Sequence, residues 1–226
     1  MQEETLIVED VLLLMLDDEH GVPAGAATLQ QTLAGAVLVE LALLGRIRPE
    51  EDRPWYKGTK ILATGDGPLP DPVLQAAYDA IAARPRHAQT LLVTIGADLW
   101  KTLTERLVQR GLLRRERKRV LGLFTTTRLP AADTGHEAEL RDRMREVLEH
   151  GEDADPRLAA IIALISASGT LPSLDPAPKW SGAVATRAKE FEQGDWGAAA
   201  VNDAVVGVAA SFTAASTAVV ITTVTT

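Results

Sequence analysis

The spacing of apolar residues along the chain predicts a mainly helical protein. Residues 5 to 17 place Leu and Val side chains on one broad face, with Glu9 and Asp10 expected mostly off that face. An apolar run follows from Thr28 to Leu44, in which Glu40 is the only charge. We expect the first segment to be a core-facing helix and the second, apolar all round, to be a central helix ended by Gly45.

Several later segments also repeat apolar residues every three or four positions. The segment DPVLQAAYDAIA predicts an exposed amphipathic helix with Asp71 as its N-cap and Pro72 at its first position. A single long helix is predicted from Thr90 to Arg110, because Gly111 stops the pattern. Three further helices are predicted at about 134 to 149, 155 to 168 and 179 to 193.

Two segments carry the shorter period and the turn residues of β-hairpins. Residues 46 to 63 predict one hairpin, followed by a Gly-Pro-containing turn. A second hairpin is predicted with arms Leu112 to Arg115 and Arg119 to Thr125, joined by a polar turn around Glu116 to Lys118. The fold class is therefore mainly α with small β-hairpins. With no fixed-period repeat or long linker, we expect one domain over residues 1–226.

Composition narrows the class of protein. The 226 residues are 46% hydrophobic and carry a net charge of −8, so the whole molecule is not the basic body of a nucleic-acid binder. The absence of cysteine excludes disulfides, thiolate zinc sites and cysteine nucleophiles, and it fits a reducing compartment. The N-terminus is acidic, unlike a secretory signal. We expect a cytoplasmic protein.

One uncharged segment, residues 204 to 226, is long enough to cross a bilayer. It consists mostly of Ala, Val, Thr and Ser, which drive insertion only weakly. We interpret it as a buried core helix in preference to a tail anchor.

The residue patterns of common active sites are missing from the sequence. The four histidines, at positions 20, 87, 136 and 150, are scattered, and no two share a predicted helical face. There is no GxxxxGK[ST] phosphate loop and no GxSxG nucleophile turn. We therefore expect no enzymatic activity, no catalytic residue, no metal site and no cofactor.

The most concentrated chemical feature is a basic run inside the second hairpin. Between Arg110 and Arg119 six basic residues face a single acid, Glu116, in a protein that is acidic overall. Guanidinium groups pair bidentately with phosphate, and neighbouring apolar side chains can enter a lipid headgroup layer. We predict that lipid phosphate is bound by Arg114, Arg115, Arg117, Lys118 and Arg119. We predict that the membrane is entered by Leu121, Leu123 and Phe124.

Three other interpretations of this run stay open. The cations could form a solvated strand face while the apolar residues of the second arm point into the core. The hairpin could belong to an adaptor that holds a protein partner without lipid. It could also be the wing of a winged-helix DNA binder, although the would-be recognition helix TLTERLVQR offers few base-contacting side chains and the net charge is negative.

Short motifs along the chain resemble the Golgi phosphoprotein 3 family in their order. Near the N-terminus, Glu9-Asp10-Val11-Leu12-Leu13-Leu14 is similar to that family's acidic pair followed by leucines. Its central-helix signature is matched by Leu38-Val39-Glu40-Leu41-Ala42 with Gly45-Arg46-Ile47. The remaining matches are Leu107-Val108, Gly111-Leu112-Leu113, Leu123-Phe124, Arg157-Leu158-Ala159 and Arg187-Ala188-Lys189.

The resemblance implies a compact helical domain with a central helix bundle, surrounding amphipathic helices and a protruding hairpin. It also implies binding of phosphatidylinositol 4-phosphate by a peripheral membrane protein, here a bacterial-type relative on the inner face of a membrane. In that family the phosphoinositide pocket uses one tryptophan and three arginines. In this chain the positions that correspond to those four residues fall near Gly25, Ala34, Ala97 and Trp100, so none of the four side chains is retained.

Overall fold

The computed structural model of the chain describes residues 5–17, 21–50, 60–120 and 124–194, with the backbone alone for residues 117–120 and 124–127. The helices of this part are α1 (Ile7–Met15), α2 (Leu29–Leu43), α3 (Pro72–Ala83), α4 (Ala88–Gly96), α5 (Leu99–Gln109), α6 (Gly135–His150), α7 (Pro156–Ala167) and α8 (Gly182–Glu192). The strands are β1 (Ile47–Pro49), β2 (Lys60–Ala63), β3 (Arg86–His87), β4 (Glu116–Val120) and β5 (Phe124–Arg128). The protein is mainly α, as predicted.

Helix α2 is the centre of the core. Every residue from Thr32 to Ala42 is buried, and α1, α3, α4, α5 and α7 all pack against it. A helix that is apolar on all sides removes that surface from water only when other helices surround it, which is the arrangement predicted from the sequence. Gly45 ends the segment with φ of +67°, a left-handed conformation that glycine adopts without steric cost.

The predicted capping residues are confirmed where they were named. Asp71 accepts hydrogen bonds from the backbone N–H groups of Val73 and Leu74 and thereby caps α3, with Pro72 at its first position. The three helices predicted in the C-terminal half correspond to α6, α7 and α8, each within about three residues of the expected bounds.

The single helix predicted from Thr90 to Arg110 is wrong, because the chain breaks it into α4 and α5. The break follows Gly96, whose backbone lies against α2. A Cβ atom at Gly96 would lie 2.6 Å from the carbonyl oxygen of Gln30. The close packing of α4 on α2 therefore requires glycine at this position, and this tertiary contact leaves no trace in the local apolar period.

The β-structure also differs from the prediction. The first hairpin is extended by β3, which gives a sheet of order β1-β2-β3. The sequence did not predict β3, because a strand of two residues is too short to show an alternating pattern. In the second hairpin the predicted turn around Glu116 to Lys118 is wrong, since these residues belong to β4. Val120 pairs with Phe124, so residues 121–123 connect the two strands. Leu113 also pairs with Ala131, so the second arm extends beyond its predicted end at Thr125.

No helix in the described part of the chain is long and apolar enough to span a bilayer. The segment 204 to 226, which the sequence predicts to be a core helix, lies outside the described residues. Leu121 and Leu123 lie outside them as well.

The contact of Gly96 with Gln30 gives a stability prediction. Replacing Gly96 with Ala should lower the free energy of unfolding by about 2 kcal/mol, because a Cβ must push against fixed backbone. The matched control is Gly182→Ala in α8, where an added Cβ meets nothing within 4 Å. Urea denaturation of both variants tests this, and equal stability of the two would contradict the close approach.

Candidate functional site

The hairpin β4–β5 leaves the helical core at the end of α5. Its base is closed by hydrogen bonds from the Arg114 N–H to the Pro130 carbonyl and from the Ala132 N–H to the Leu112 carbonyl, at 3.0 and 2.9 Å. Among the described elements, β4 and β5 pack substantially only against each other. The basic hairpin is therefore a projecting element that is attached through its base.

The predicted phosphate-binding residues lie along the first arm of this hairpin. Arg114 and Arg115 are exposed. Arg114 Nε lies 3.0 Å from Oε1 of Glu116, in an exposed pair that adds little to stability. Within the described part of the chain, Arg115 has no ion pair. Along β4, Arg117, Lys118 and Arg119 are placed opposite the backbone of Thr127, Thr126 and Thr125.

Of the predicted membrane-entering residues, Phe124 lies in the described part of the chain. It is the first residue of β5 and pairs with Val120. Leu121 and Leu123 lie outside the described residues. The structure thus brings the backbones of the basic residues and of Phe124 into one hairpin, while the insertion of the three apolar side chains stays a prediction.

Arg110, the first cation of the basic run, has a different role. Its Nη1 atom lies 2.8 Å from Oε2 of Glu9, a side chain in α1 with no solvent exposure. Arg106, one turn earlier on α5, places Nε 3.0 Å from Oε1 of Glu9 as an ion pair without a hydrogen bond to that oxygen. Arg106 also pairs with Asp71, the N-cap of α3. The C-terminal turn of α5 is thereby fixed beneath the hairpin.

Glu9 belongs to a buried carboxylate cluster, defined here as Glu9, Asp10 and Glu40. Glu9 and Asp10 are 0% and 1% exposed, so the expectation that they lie off the buried face of α1 is wrong. Glu9 accepts a hydrogen bond from the Leu6 N–H, and Glu40 from the Ile7 N–H, both at 2.8 Å. These carboxylates satisfy amides at the start of α1, where the helix dipole also favours negative charge.

Asp10 is held by groups from two other helices. Nη2 of Arg157, in the first turn of α7, lies 2.8 Å from Oδ2 of Asp10. Nε2 of His136, in the first turn of α6, lies 2.7 Å from Oδ1. Arg157 also approaches Glu40, with 3.5 Å between Nη1 and Oε1. The sequence showed one sign of this cluster, Glu40 as the lone charge in an apolar helix, but not its partners.

The carboxyl group of Glu40 has a strongly shifted pKa. Burial raises its pKa from near 4.5 to about 7, and the positive charge of Arg157 and the Ile7 N–H only partly offset that effect. The negative charges of Asp10 and Asp71 raise the pKa further. Glu40 is therefore partly protonated in the folded protein near neutral pH.

The positions that correspond to the phosphoinositide pocket are apolar or closed. Gly25 has φ of +62°, and a Cβ there would lie 2.0 Å from Cγ2 of Thr170. Ala34 is fully buried beneath its neighbours in the core. Ala97 is exposed and Trp100 is half-buried, and neither supplies a cation. A phosphate at these places would meet none of the four expected side chains.

Other features of the structure bear on the adaptor and winged-helix interpretations of the chain. An apolar groove of about 310 Å³ runs between α3 and the α4–α5 junction, lined by residues that include Val73, Ala76, Ala80, Ile95 and Leu99.

The would-be recognition helix of a winged-helix protein, TLTERLVQR, corresponds to α5 and its C-cap Arg110. Its two arginines, Arg106 and Arg110, pair with buried or partly buried carboxylates. Among the described residues no group of three His, Asp or Glu side chains is placed to hold a metal ion.

A comparison with protein families agrees with the resemblance seen in the motifs. The family model described as Golgi phosphoprotein 3 (GPP34) matches residues 7–208, which is most of the chain. The matched range contains the buried carboxylate cluster, its arginine and histidine partners and the basic hairpin.

The anchoring of Arg110 gives a second stability prediction. Arg110→Gln should lower the free energy of unfolding by about 2 kcal/mol, because it leaves a fully buried carboxylate with one guanidinium partner fewer. Arg114→Gln removes the same charge from an exposed pair and should change it by less than about 0.5 kcal/mol. Urea denaturation compares the two, and a loss at Arg114 as large as that at Arg110 would contradict the distinction.

The raised pKa of Glu40 predicts a pH dependence of stability. The folded state holds the Glu40 proton more tightly than the unfolded chain does, so the stabilisation is fully present below about pH 4.5 and is lost as the pH rises through about 7. Glu40→Gln cannot titrate and keeps an acceptor for the Ile7 N–H. Between pH 5 and pH 8 the stability of the wild type relative to this variant should fall by about 2.5 kcal/mol. Denaturant titrations across pH check this, and parallel curves would refute it.

Proposed function

The chain belongs to the Golgi phosphoprotein 3 family, and we propose that it is a non-catalytic peripheral membrane module that binds anionic lipid through the basic hairpin. The lipid phosphates are bound by Arg114, Arg115, Arg117, Lys118 and Arg119. The apolar residues Leu121, Leu123 and Phe124 enter the headgroup layer.

The observation that carries this proposal is the contrast between the hairpin and its base. The cations beyond Arg110 lie on an element that projects from the core, whereas Arg106 and Arg110 at its base pair with Glu9, and Arg106 also with Asp71. A projecting hairpin can reach a flat surface that the helical core cannot approach closely. Because the base is fixed by buried ion pairs, binding does not require ordering of the whole element.

The charge balance supports a surface contact of moderate strength. Each basic residue near an anionic membrane contributes about 1 kcal/mol, so five of them supply roughly 5 kcal/mol before the cost of association is subtracted. The remainder of the molecule is acidic, since the net charge is −8. An anionic membrane therefore attracts the hairpin and repels acidic parts of the chain, which orients the protein.

The lipid class follows from the same chemistry. Phosphatidylinositol 4-phosphate is the ligand that the family resemblance implies, but Gly25, Ala34, Ala97 and Trp100 supply none of the four pocket side chains. The hairpin offers charge without an enclosed pocket among its described residues. We propose recognition of anionic lipid by charge, within which a phosphoinositide is favoured only by its larger negative charge.

A second candidate function is a protein adaptor that needs no lipid. The groove between α3 and the α4–α5 junction favours it, because the hydroxyls of Thr94 and Thr102 at the groove bond to carbonyls of their own helices. The groove thus offers mainly apolar surface, suited to an apolar segment of a partner protein. Such binding would persist at high salt, whereas the lipid contact would weaken.

Vesicle co-sedimentation tests the proposed function. Arg114→Ser/Arg115→Ser should bind vesicles of phosphatidylcholine with anionic phosphatidylglycerol roughly 30-fold more weakly than wild type, and replacement of all five hairpin cations by Ser should weaken binding further. The control Lys101→Ser/Lys179→Ser removes two exposed cations elsewhere and should bind as wild type does. Vesicles with phosphatidylinositol 4-phosphate form a parallel arm.

The outcomes of that experiment separate the candidates. Binding that fades with salt and depends on the hairpin supports the proposal. A marked preference for the phosphoinositide at equal vesicle charge would show a specific pocket and contradict recognition by charge alone. Wild-type protein that sediments with no anionic vesicle would reject the lipid function and leave the adaptor.

A further inference from the structure

A second group of cations surrounds the three-stranded sheet. The described residues of this region are 46–50, 60–64 and 84–88, and they contain five basic residues against one acid, Glu50. The basic residues are Arg46, Arg48, Lys60, Arg84 and Arg86. Like the hairpin, this region is locally basic in a protein whose net charge is −8.

Some of these cations are bonded within the fold, and others are available to a ligand. Arg46 donates to the Gly67 carbonyl and lies over the Tyr78 ring, 4.5 Å from its centroid, so it is part of the fold. In contrast, neither Lys60 nor Arg84 makes an ion pair or hydrogen bond through its side chain within the described part of the chain. Arg84 is exposed, and Lys60 is one residue before the buried Ile61, which directs it to the outer face of the sheet.

Arg86 adds a partly buried guanidinium to the same edge. It pairs with Ile61 in the sheet, and the backbone of its neighbour His87 pairs with Lys60. The Nε atom of Arg86 is buried and has no hydrogen-bond partner among the described residues. The Nε atoms of Arg46 and Arg187 lack a partner in the same way, but at this edge an anion could satisfy the donor of Arg86. We define Lys60, Arg84 and Arg86 as the sheet cations.

The sheet and the hairpin leave the helical core close to the same buried cluster. The Arg46 N–H, at the start of the sheet, donates to the Leu41 carbonyl at 2.8 Å. The preceding residue, Glu40, accepts from the Ile7 N–H at 2.8 Å. Two residues further along α1, Glu9 pairs with Arg110 at the base of the hairpin, also at 2.8 Å. Three contacts therefore connect the bases of the two basic elements through the rigid first turn of α1.

We propose that the sheet cations form a second contact with an anionic membrane, acting together with the hairpin. This inference rests on the proposed function and adds a second surface to it. Two contacts held by one rigid framework bind a planar surface more tightly than either alone, because the second forms without a new loss of translational freedom. They also fix the rotation of the protein on the membrane. A flat anionic surface can meet two separate basic surfaces of one rigid framework at the same time.

The test uses the full chain and the same vesicles of phosphatidylcholine with phosphatidylglycerol. Lys60→Ser/Arg84→Ser should weaken binding about 30-fold, since each cation near the surface contributes roughly fivefold. The charge-matched control is again Lys101→Ser/Lys179→Ser, which should leave binding unchanged. The variant lacking the five hairpin cations should retain weak, salt-sensitive binding. Adding Lys60→Ser/Arg84→Ser to it should reduce binding to the level seen with neutral vesicles.

Arg86 is tested separately because it is partly buried. Arg86→Gln should weaken vesicle binding at least threefold with a melting temperature close to that of the wild type; Arg86→Lys, which keeps the charge, should recover part of the loss.

Each outcome decides between the two levels of the proposal. If wild-type protein binds and Lys60→Ser/Arg84→Ser binds equally well, the second contact is rejected and the hairpin function stands. If wild-type protein does not bind anionic vesicles at all, the proposed function is rejected and the second contact with it. Unchanged vesicle binding together with a loss of duplex DNA binding in the sheet variant would show that these cations serve a nucleic acid.

Discussion

The buried carboxylate cluster is the interaction on which the rest of the structure depends. Glu9, Asp10 and Glu40 lie where α1 begins and α2 ends, and their partners come from the end of α5 and the beginnings of α6 and α7. Carboxylates in an apolar interior are tolerated only when cations and N–H donors surround them, because an unpaired buried charge costs several kcal/mol. These pairings therefore fix the position along each helix at which it packs against the others.

This requirement separates the basic residues into two kinds. Arg106, Arg110 and Arg157 neutralise buried carboxylates and are unavailable to a ligand, although Arg106 and Arg110 resemble the neighbouring hairpin cations in sequence. The cations beyond them, and those of the three-stranded sheet, lie outside the core. The cluster thus holds the bases of two basic elements, on which Arg84, Arg114 and Arg115 are exposed, and this arrangement is the structural reason for proposing a membrane contact at both. Burial in this cluster raises the pKa of Glu40 to about 7.

Much of the helical framework could be predicted because its causes are local. The apolar circumference of α2, the cap Asp71-Pro72 and the left-handed Gly45 each act within a few residues, and each was confirmed. The errors arose where distant backbone decides the outcome. Position 96 must be glycine because the backbone of Gln30 lies against it, and β3 is defined by its pairing with β2. The hairpin turn follows Val120, and not Arg115 as predicted, because Glu116 to Val120 pair with Phe124 to Arg128.

The sequence by itself determined the mainly α fold, the central helix, the family resemblance and the basic run that defines the candidate site. These follow from apolar period, residue order and charge, which are properties of neighbouring residues. Only the tertiary structure decided that Glu9 and Asp10 are buried, that Arg110 anchors the hairpin while Arg114 and Arg115 are exposed, and that a second basic element leaves the core near the first. The reason is physical: whether a charge is paired or exposed depends on side chains brought beside it from about a hundred residues away, as Arg110 is brought to Glu9.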